Sequence, residues 1–213
     1  HKLLMENLEF RVPPGAIVGI VGPNGAGKTT LFSVVCGFTA ADAGQVRVGG
    51  QPVSPVTPPP PGVMSILPQD ATLSARPSIG TQLAYLGRLE GMTASKAREE
   101  ARRVLELVDL ADVHDRRAPT MSHGMAKRVG IAQAFMGEPQ LILLDEPTAG
   151  LDPHAAHDIR NLIRSIRGDR TVIVSSHNLA EVEDLCHEVA IVHEGKVIRQ
   201  QTLADVLGEA AEL

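Results

Sequence analysis

AIVGIVGPNGAGKTT, residues 16–30, decides the reading of this chain. Its first part, Ala16–Val21, is short, β-branched and apolar on both faces, the pattern of a strand buried within a sheet. It runs straight into a glycine-rich loop, Gly22–Gly27, and the residues beyond read as a helix to about Gly37. Gly22-Pro23-Asn24-Gly25-Ala26-Gly27-Lys28-Thr29-Thr30 fits the pattern G-x-x-x-x-G-K-[ST] in the strand–loop–helix setting that its mechanism needs. Glycines let the backbone curl so that successive N–H groups converge on phosphate oxygens, and the helix adds its positive N-terminal end. Lys28 is expected to reach the β- and γ-phosphates of a nucleotide, and Thr29 to hold Mg2+ through its hydroxyl.

Outward from this loop, Leu3–Val12 reads as a strand closed by the turn Pro13-Pro14-Gly15, and Gln45–Val48 and Val63–Leu67 as further strands. Between the last two, residues 51–62 (QPVSPVTPPPPG) are too proline-dense for regular structure. Helices are expected over Ser78–Glu90, Ser95–Val108 and Ser122–Gly137. In the second of these Ala97, Ala101, Val104, Leu105 and Val108 share one face, while Glu99–Arg103 and Arg102–Glu106 stand at i,i+4 on the other. From Leu141 strands and helices alternate again: Leu141–Leu144, a helix from Pro153 capped by Asp152, Thr171–Ser175, a helix from Asn178, and Val189–His193. Glu194-Gly195-Lys196 reads as a hairpin turn, and Thr202 as the cap of a last short helix. The fold class is therefore α/β, a mainly parallel sheet with flanking helices and a small antiparallel part. One domain is expected over residues 1–213, its core formed by 1–71 and 140–213 and interrupted by a helical subdomain at about 72–139.

Composition narrows the function classes. Among 213 residues, 25 acidic side chains outnumber 20 basic ones, giving a net charge of −5. That balance argues against a nucleic-acid binder. With no Trp, one Tyr and four Phe there is little for bases to stack on. Two cysteines, Cys36 and Cys186, exclude a disulfide framework and point to a reduced compartment. No apolar run approaches the roughly 20 residues that span a bilayer, so a membrane role would be borrowed from another chain.

A second chemical group stands at Leu141-Ile142-Leu143-Leu144-Asp145-Glu146, an apolar strand ending in two acids. In a phosphate-loop enzyme the first carboxylate at such a strand end helps hold Mg2+, and the second, Glu146, is placed to polarise the water that attacks the γ-phosphate. Gln69, after the strand Val63–Leu67, and His177, after Thr171–Ser175, belong to the same carboxyl edge of the expected sheet, where ligands bind in open α/β folds. Gln69 is placed to sense the metal or the attacking water, and His177 to donate to the γ-phosphate. His154 and His157 share a helix face but have no further ligand nearby.

Taken together these residues resemble the nucleotide-binding domain of ABC ATPases, over essentially the whole chain. The P-loop Gly22–Thr30, the Q-loop residue Gln69, the Walker B acids Asp145 and Glu146, the D-loop Ala149-Gly150-Leu151-Asp152 and the switch histidine His177 stand in the family's order. The LSGGQ signature corresponds to Met121-Ser122-His123-Gly124-Met125, with Ala126-Lys127-Arg128-Val129-Gly130 continuing the pattern. The resemblance implies ATP and Mg2+ as ligands, the metal being held by Thr29, Gln69 and Asp145. It also implies a head-to-tail dimer, a homodimer or a pair with a second ATPase domain, in which Ser122 and Gly124 reach the γ-phosphate in trans. His123 and Met125 replace the usual Gly and Gln. Hydrolysis is still expected, slowed or made pH-sensitive by His123. The family's adenine-stacking aromatic should precede the strand that begins at Leu3; none stands there, so the first family strand is expected to be missing.

GPNGAGKTTLFSVVCGF and LLDEPTAGLDP look like the ATPase chains of bacterial exporters whose membrane subunits are separate polypeptides. The leading expectation is an ATPase subunit on the cytoplasmic face of the plasma or inner membrane, gripping a separate transmembrane permease near Gln69 and residues 70–78, with no nucleic acid as partner. Two other readings compete with it: a soluble mechano-ATPase acting on ribosomes or DNA, and a nucleotide-binding regulator that scarcely turns over. The paired ATPase domains and charged linker of the first are not in this sequence, and the intact Glu146 speaks against the second.

Overall fold

The computed structural model describes residues 8–202. Its contacts divide the chain into two compact units: one runs to Pro60 and resumes at Arg167, and the other is Pro61–Ile166.

In the first unit β1 (Ile17–Val21) lies between β6 (Thr171–Ser176) and β7 (Glu188–His193) and is parallel to both. All five of its residues are buried, which is why the sequence shows no polar alternation there. β7 turns through Glu194 and Gly195, at φ 46 and 77, into the antiparallel β8 (Lys196–Thr202), the hairpin expected at those residues. α1 (Lys28–Val35) follows the glycine loop. β2 (Val46–Val48) pairs antiparallel with β3 (Gln51–Val53). The stretch expected to carry no regular structure therefore begins with a strand. Pro52 is tolerated because both strands of a two-stranded ladder are edges. α6 (Leu179–Glu183) starts on Asn178, whose side chain accepts the N–H of Ala180.

Of the strand expected at Leu3–Val12, residues 3–7 lie outside the described residues, and 8–12 join no ladder. The side chain of Gln200 instead takes a strand neighbour's part, accepting from Arg11 N at 3.4 Å and donating to Arg11 O at 2.7 Å. Thr202 ends β8; the helix expected after it lies outside the described residues.

In the second unit β4 (Met64–Leu67) is parallel to β5 (Leu141–Asp145), with Leu67 opposite Leu144. Between them in sequence run α2 (Ile79–Leu89), α3 (Ala94–Leu107) and α4 (His123–Ala134), and α5 (Pro153–Ser165) follows β5. Ser78, Thr93, Ser122 and Asp152 cap these four helices by accepting the N–H of Thr81, Lys96, Met125 and Ala155. Each such cap is worth about 1 kcal/mol. Ala97, Ala101, Val104 and Leu105 form the buried face of α3, against α2. The charge pairs on its other face differ from those expected at i,i+4. Arg103 donates twice to Glu100, at 2.7 and 2.6 Å, because a tertiary acceptor draws the arginine sideways and a tertiary donor draws the glutamate. Arg103 also reaches Phe135 O at 3.1 Å, and Glu100 accepts the N–H of Gly137 at 2.9 Å.

α4 lies across β4 and β5. Ser65, early in β4, donates through its hydroxyl to Ala134 O, and a side chain at Gly130 would crowd Leu67, the last residue of β4. The helix therefore runs antiparallel to the strand. No helix among the described residues is long and apolar enough to cross a membrane.

Candidate functional site

The phosphate loop begins where β1 ends. Val21 is opposite Ser176, and Gly22 N donates to Ser176 O at 3.3 Å. A side chain at Gly22 would run into the carbonyl oxygen of Val192. Gly27 turns the chain into α1 at φ 104, a left-handed conformation that L side chains avoid. Lys28 is only 7% exposed; its Nζ donates to Gly22 O at 2.7 Å and Pro23 O at 3.3 Å, which puts the ammonium inside the loop. Pro23, Asn24 and Gly25 form the exposed crest, Ala26 is buried beneath it, Thr29 is exposed, and Thr30 is half-buried in the first turn of α1. Ala26 O accepts from Gly195 N at 3.2 Å, so the β7–β8 turn braces the loop from below. α1 is the one α-helix among the described residues whose N-cap offers no side-chain acceptor. The positive end of the α1 dipole thus stands at the loop with no capping side chain over it.

His177 is exposed at the carboxyl end of β6, directly after Ser176. Ser176 Oγ donates to Glu181 and accepts the N–H of Asn178, which pins the turn carrying the imidazole. The Val21–Ser176 register places Gly22 and His177 at one end of neighbouring parallel strands.

The second unit groups the acids. Because Leu67 is opposite Leu144, Gln69 and Glu146 each stand two residues past paired positions. Gln69 is exposed, whereas Asp145 and Glu146 are 1% and 4% exposed. Glu146 holds φ 51, a left-handed backbone that costs a non-glycine residue about 1–2 kcal/mol. Lys127 on α4 feels this group: burial lowers its amine below the ordinary lysine value, while Asp145, Glu146 and Asp70 pull it back up. Sequence reasoning passed over Lys127 except as part of a motif. The signal that could have found it is its sharing a helix face with Gly130 and Ala134.

The residues read from the sequence as signature and D-loop also meet in this unit. Ser122 Oγ accepts from Met125 N at 3.2 Å as the cap of α4. Gly124 faces Leu151, and His123 faces Gly150, which holds φ 76. Asp152 caps α5, and the N–H of Ala155 holds its carboxyl below the usual range. Of the two histidines at the start of α5, His154 pairs with Asp158, which also takes Arg128 from α4. Among the described residues no three metal-ligating side chains of the His, Cys, Asp and Glu types cluster.

With this geometry in view, residues 5–149 match the model of the family described as ABC transporter. The chain belongs to the ABC transporter family. It is 35% identical over 202 residues to the Nod factor export ATP-binding protein I of Paraburkholderia xenovorans (strain LB400), covering 94% of this chain and 66% of that protein. It is 33% identical to the linearmycin resistance ATP-binding protein LnrL of Bacillus subtilis (strain 168), covering 96% of this chain and 66% of that one. This ABC chain thus spans 66% of the length of those curated relatives. A solved structure described as the ATP binding subunit of an ABC transporter superposes with a TM-score of 0.85 at 26% identity, over 98% of this chain and 87% of that chain. The α/β architecture is the P-loop NTPase fold expected from residues 16–30.

Proposed function

We propose that the chain binds and hydrolyses ATP to power a membrane transporter, in the export direction. One observation carries the reading: in an ABC family member, a phosphate loop holds a buried Lys28 inside it, and a strand end carries two buried acids, Asp145 and Glu146. The names of the relatives support export over a ribosomal or DNA-bound role.

Residue roles follow from the chemistry. Residues Gly22–Thr30 wrap the phosphates: loop N–H groups and the uncapped start of α1 meet the oxygens, and Lys28 swings from Gly22 O and Pro23 O onto the β- and γ-phosphates. The Thr29 hydroxyl, the Asp145 carboxylate and the Gln69 amide are hard oxygen donors suited to Mg2+, and they would hold it beside the phosphates. When bound, Mg2+ neutralises charge on the β- and γ-oxygens. Glu146 accepts a proton from the attacking water, and His177 donates to the γ-phosphate. Ser122, His123, Gly124 and Met125 present the start of α4 to nucleotide on a second ATPase domain, in a head-to-tail homodimer or pseudo-symmetric pair. Asp152 sets the D-loop beside them. Residues 72–139 act as the helical subdomain. With residues 70–78 they engage a separate transmembrane permease at the cytoplasmic face of the membrane.

The test is a pull-down from detergent-solubilised native membranes with the co-purifying chains identified by mass. A polytopic membrane protein in near-equal amount is expected; recovery with ribosomes or DNA alone overturns the transporter reading.

A further inference from the structure

α4 and β4 run antiparallel, Ala134 meeting Ser65 near the strand's start and Gly130 meeting Leu67 at its end. Lys127 precedes Gly130 by one turn and shares its face, since residues three and seven apart line one side of a helix. At about 1.5 Å per residue Lys127 stands about 4–5 Å beyond Leu67. A strand rises about 3.3 Å per residue, so this is level with the first or second residue past the strand end. On β4 those residues are Pro68 and Gln69; on β5, whose Leu144 is opposite Leu67, they are Asp145 and Glu146.

Two observations agree with that placement. Lys127 is half-buried, unlike a solvated surface lysine. The carboxylates of Asp145, Glu146 and Asp70 all act on its amine. Two adjacent carboxylates at a nearly inaccessible strand end repel each other and lack bulk hydration, so a cation placed level with them is favourable.

The geometry points to Lys127 as a positioning residue for hydrolysis: its ammonium offsets the charge of Asp145 and Glu146 and holds both carboxylates in place before nucleotide arrives. The inference rests on the ATPase reading above, and it concerns a side chain of the same subunit that carries the acids. Lys127 touches no reacting atom; it acts through Glu146.

A double-mutant cycle in nucleotide-free protein with EDTA tests it apart from activity. Urea unfolding is followed for the parent, Lys127→Met, Glu146→Gln and the pair. Lys127→Met is expected to lower the folding equilibrium constant at least threefold more in the parent than in the Glu146→Gln background, where Asp145 is left without its like-charged neighbour and less charge needs offsetting. Lys127→Arg is expected to keep that coupling and most of kcat, whereas Lys127→Met lowers kcat about tenfold with KM for ATP within twofold. Additive stabilities, or an arginine variant indistinguishable from methionine, overturn the inference. If Lys127→Met fails to fold, Lys127→Gln takes its place in the cycle: threefold coupling again supports the inference and additivity again overturns it. A parent chain that binds no ATP overturns the ATPase reading instead, while the cycle still decides whether Lys127 and Glu146 are coupled.

Discussion

The Nε2 atom of His123 lies 3.1 Å from the point that a side chain on Gly150 would occupy. The residue that departs from the family signature is therefore packed against the D-loop of its own subunit, at a position where φ 76 already favours glycine. Gly150→Ala is expected to destabilise the protein by about 1–2 kcal/mol and to displace His123, lowering turnover. His123→Gly, which removes an exposed ring, is expected to leave stability within about 0.5 kcal/mol of the parent and to raise turnover. Urea unfolding and steady-state ATPase assays on both variants check this pair of outcomes.

Glu146→Gln keeps the shape of the side chain but removes its basicity. ATP binding is expected to persist, measured with a fluorescent nucleotide, while turnover falls about 10²–10⁴-fold and an ATP-bound dimer accumulates on size exclusion. Hydrolysis at the parent rate would remove Glu146 from its assigned role.

Gly22 owes its identity to the carbonyl of Val192. Because the obstacle is backbone rather than a flexible side-chain tip, Gly22→Ala is expected to cost about 1–3 kcal/mol and to weaken nucleotide binding by shifting the loop. Thermal unfolding with and without ATP separates these two effects.

The Glu90, Glu100 and Arg103 cluster gives a pH dependence whose sign follows from its contacts. Hydrogen bonds from Arg103 hold Glu100 below the ordinary glutamate value, against the opposing effect of burial. Its stabilisation is present above the unfolded value and fades as pH falls toward the depressed one. Burial, and then the Glu100 carboxylate, holds Glu90 above its ordinary value, so Glu90 penalises folding as pH rises through that raised value. Glu90→Gln should raise Tm at pH 7 by about 1–2 °C and leave it unchanged at pH 4. Glu100→Gln should lower Tm at pH 7, with the difference narrowing toward pH 3.

Burial lifts the thiols of Cys36 and Cys186 to about 12. Both are expected to resist thiol reagents in the native protein and to react within seconds after unfolding in urea. Rapid labelling of the folded chain would contradict their packing.

Where the chemistry is local, the chain announces itself. The buried strand before Gly22, the Asp152–Pro153 helix start and the acids that end β5 follow from residue type and short spacing, as do the helix starts at Ser78 and Ser122. Thr93 caps α3 just ahead of the helix start read at Ser95. What stayed hidden depends on pairings that residue type and short spacing do not state. β3 exists because Pro52 meets Arg47 across a hairpin with two free edges. Arg103 chooses Glu100 over Glu99 because Phe135 O and Gly137 N–H lie alongside. Lys127 gains a role only once α4 is laid antiparallel on β4, and nothing in an i,i+3 pattern states that direction.

β1 is flanked on one side by residues of the 170s and on the other by those near 190, and Ala26 is braced by Gly195. A ribosome therefore emits the phosphate loop long before it emits the walls that shape it. Contacts of such sequence separation form late and slowly. Lys28 by itself thus makes no phosphate cradle: a chain cut short of Ser176 and Gly195, though it already carries the lysine, is expected to lack the walls that shape the loop.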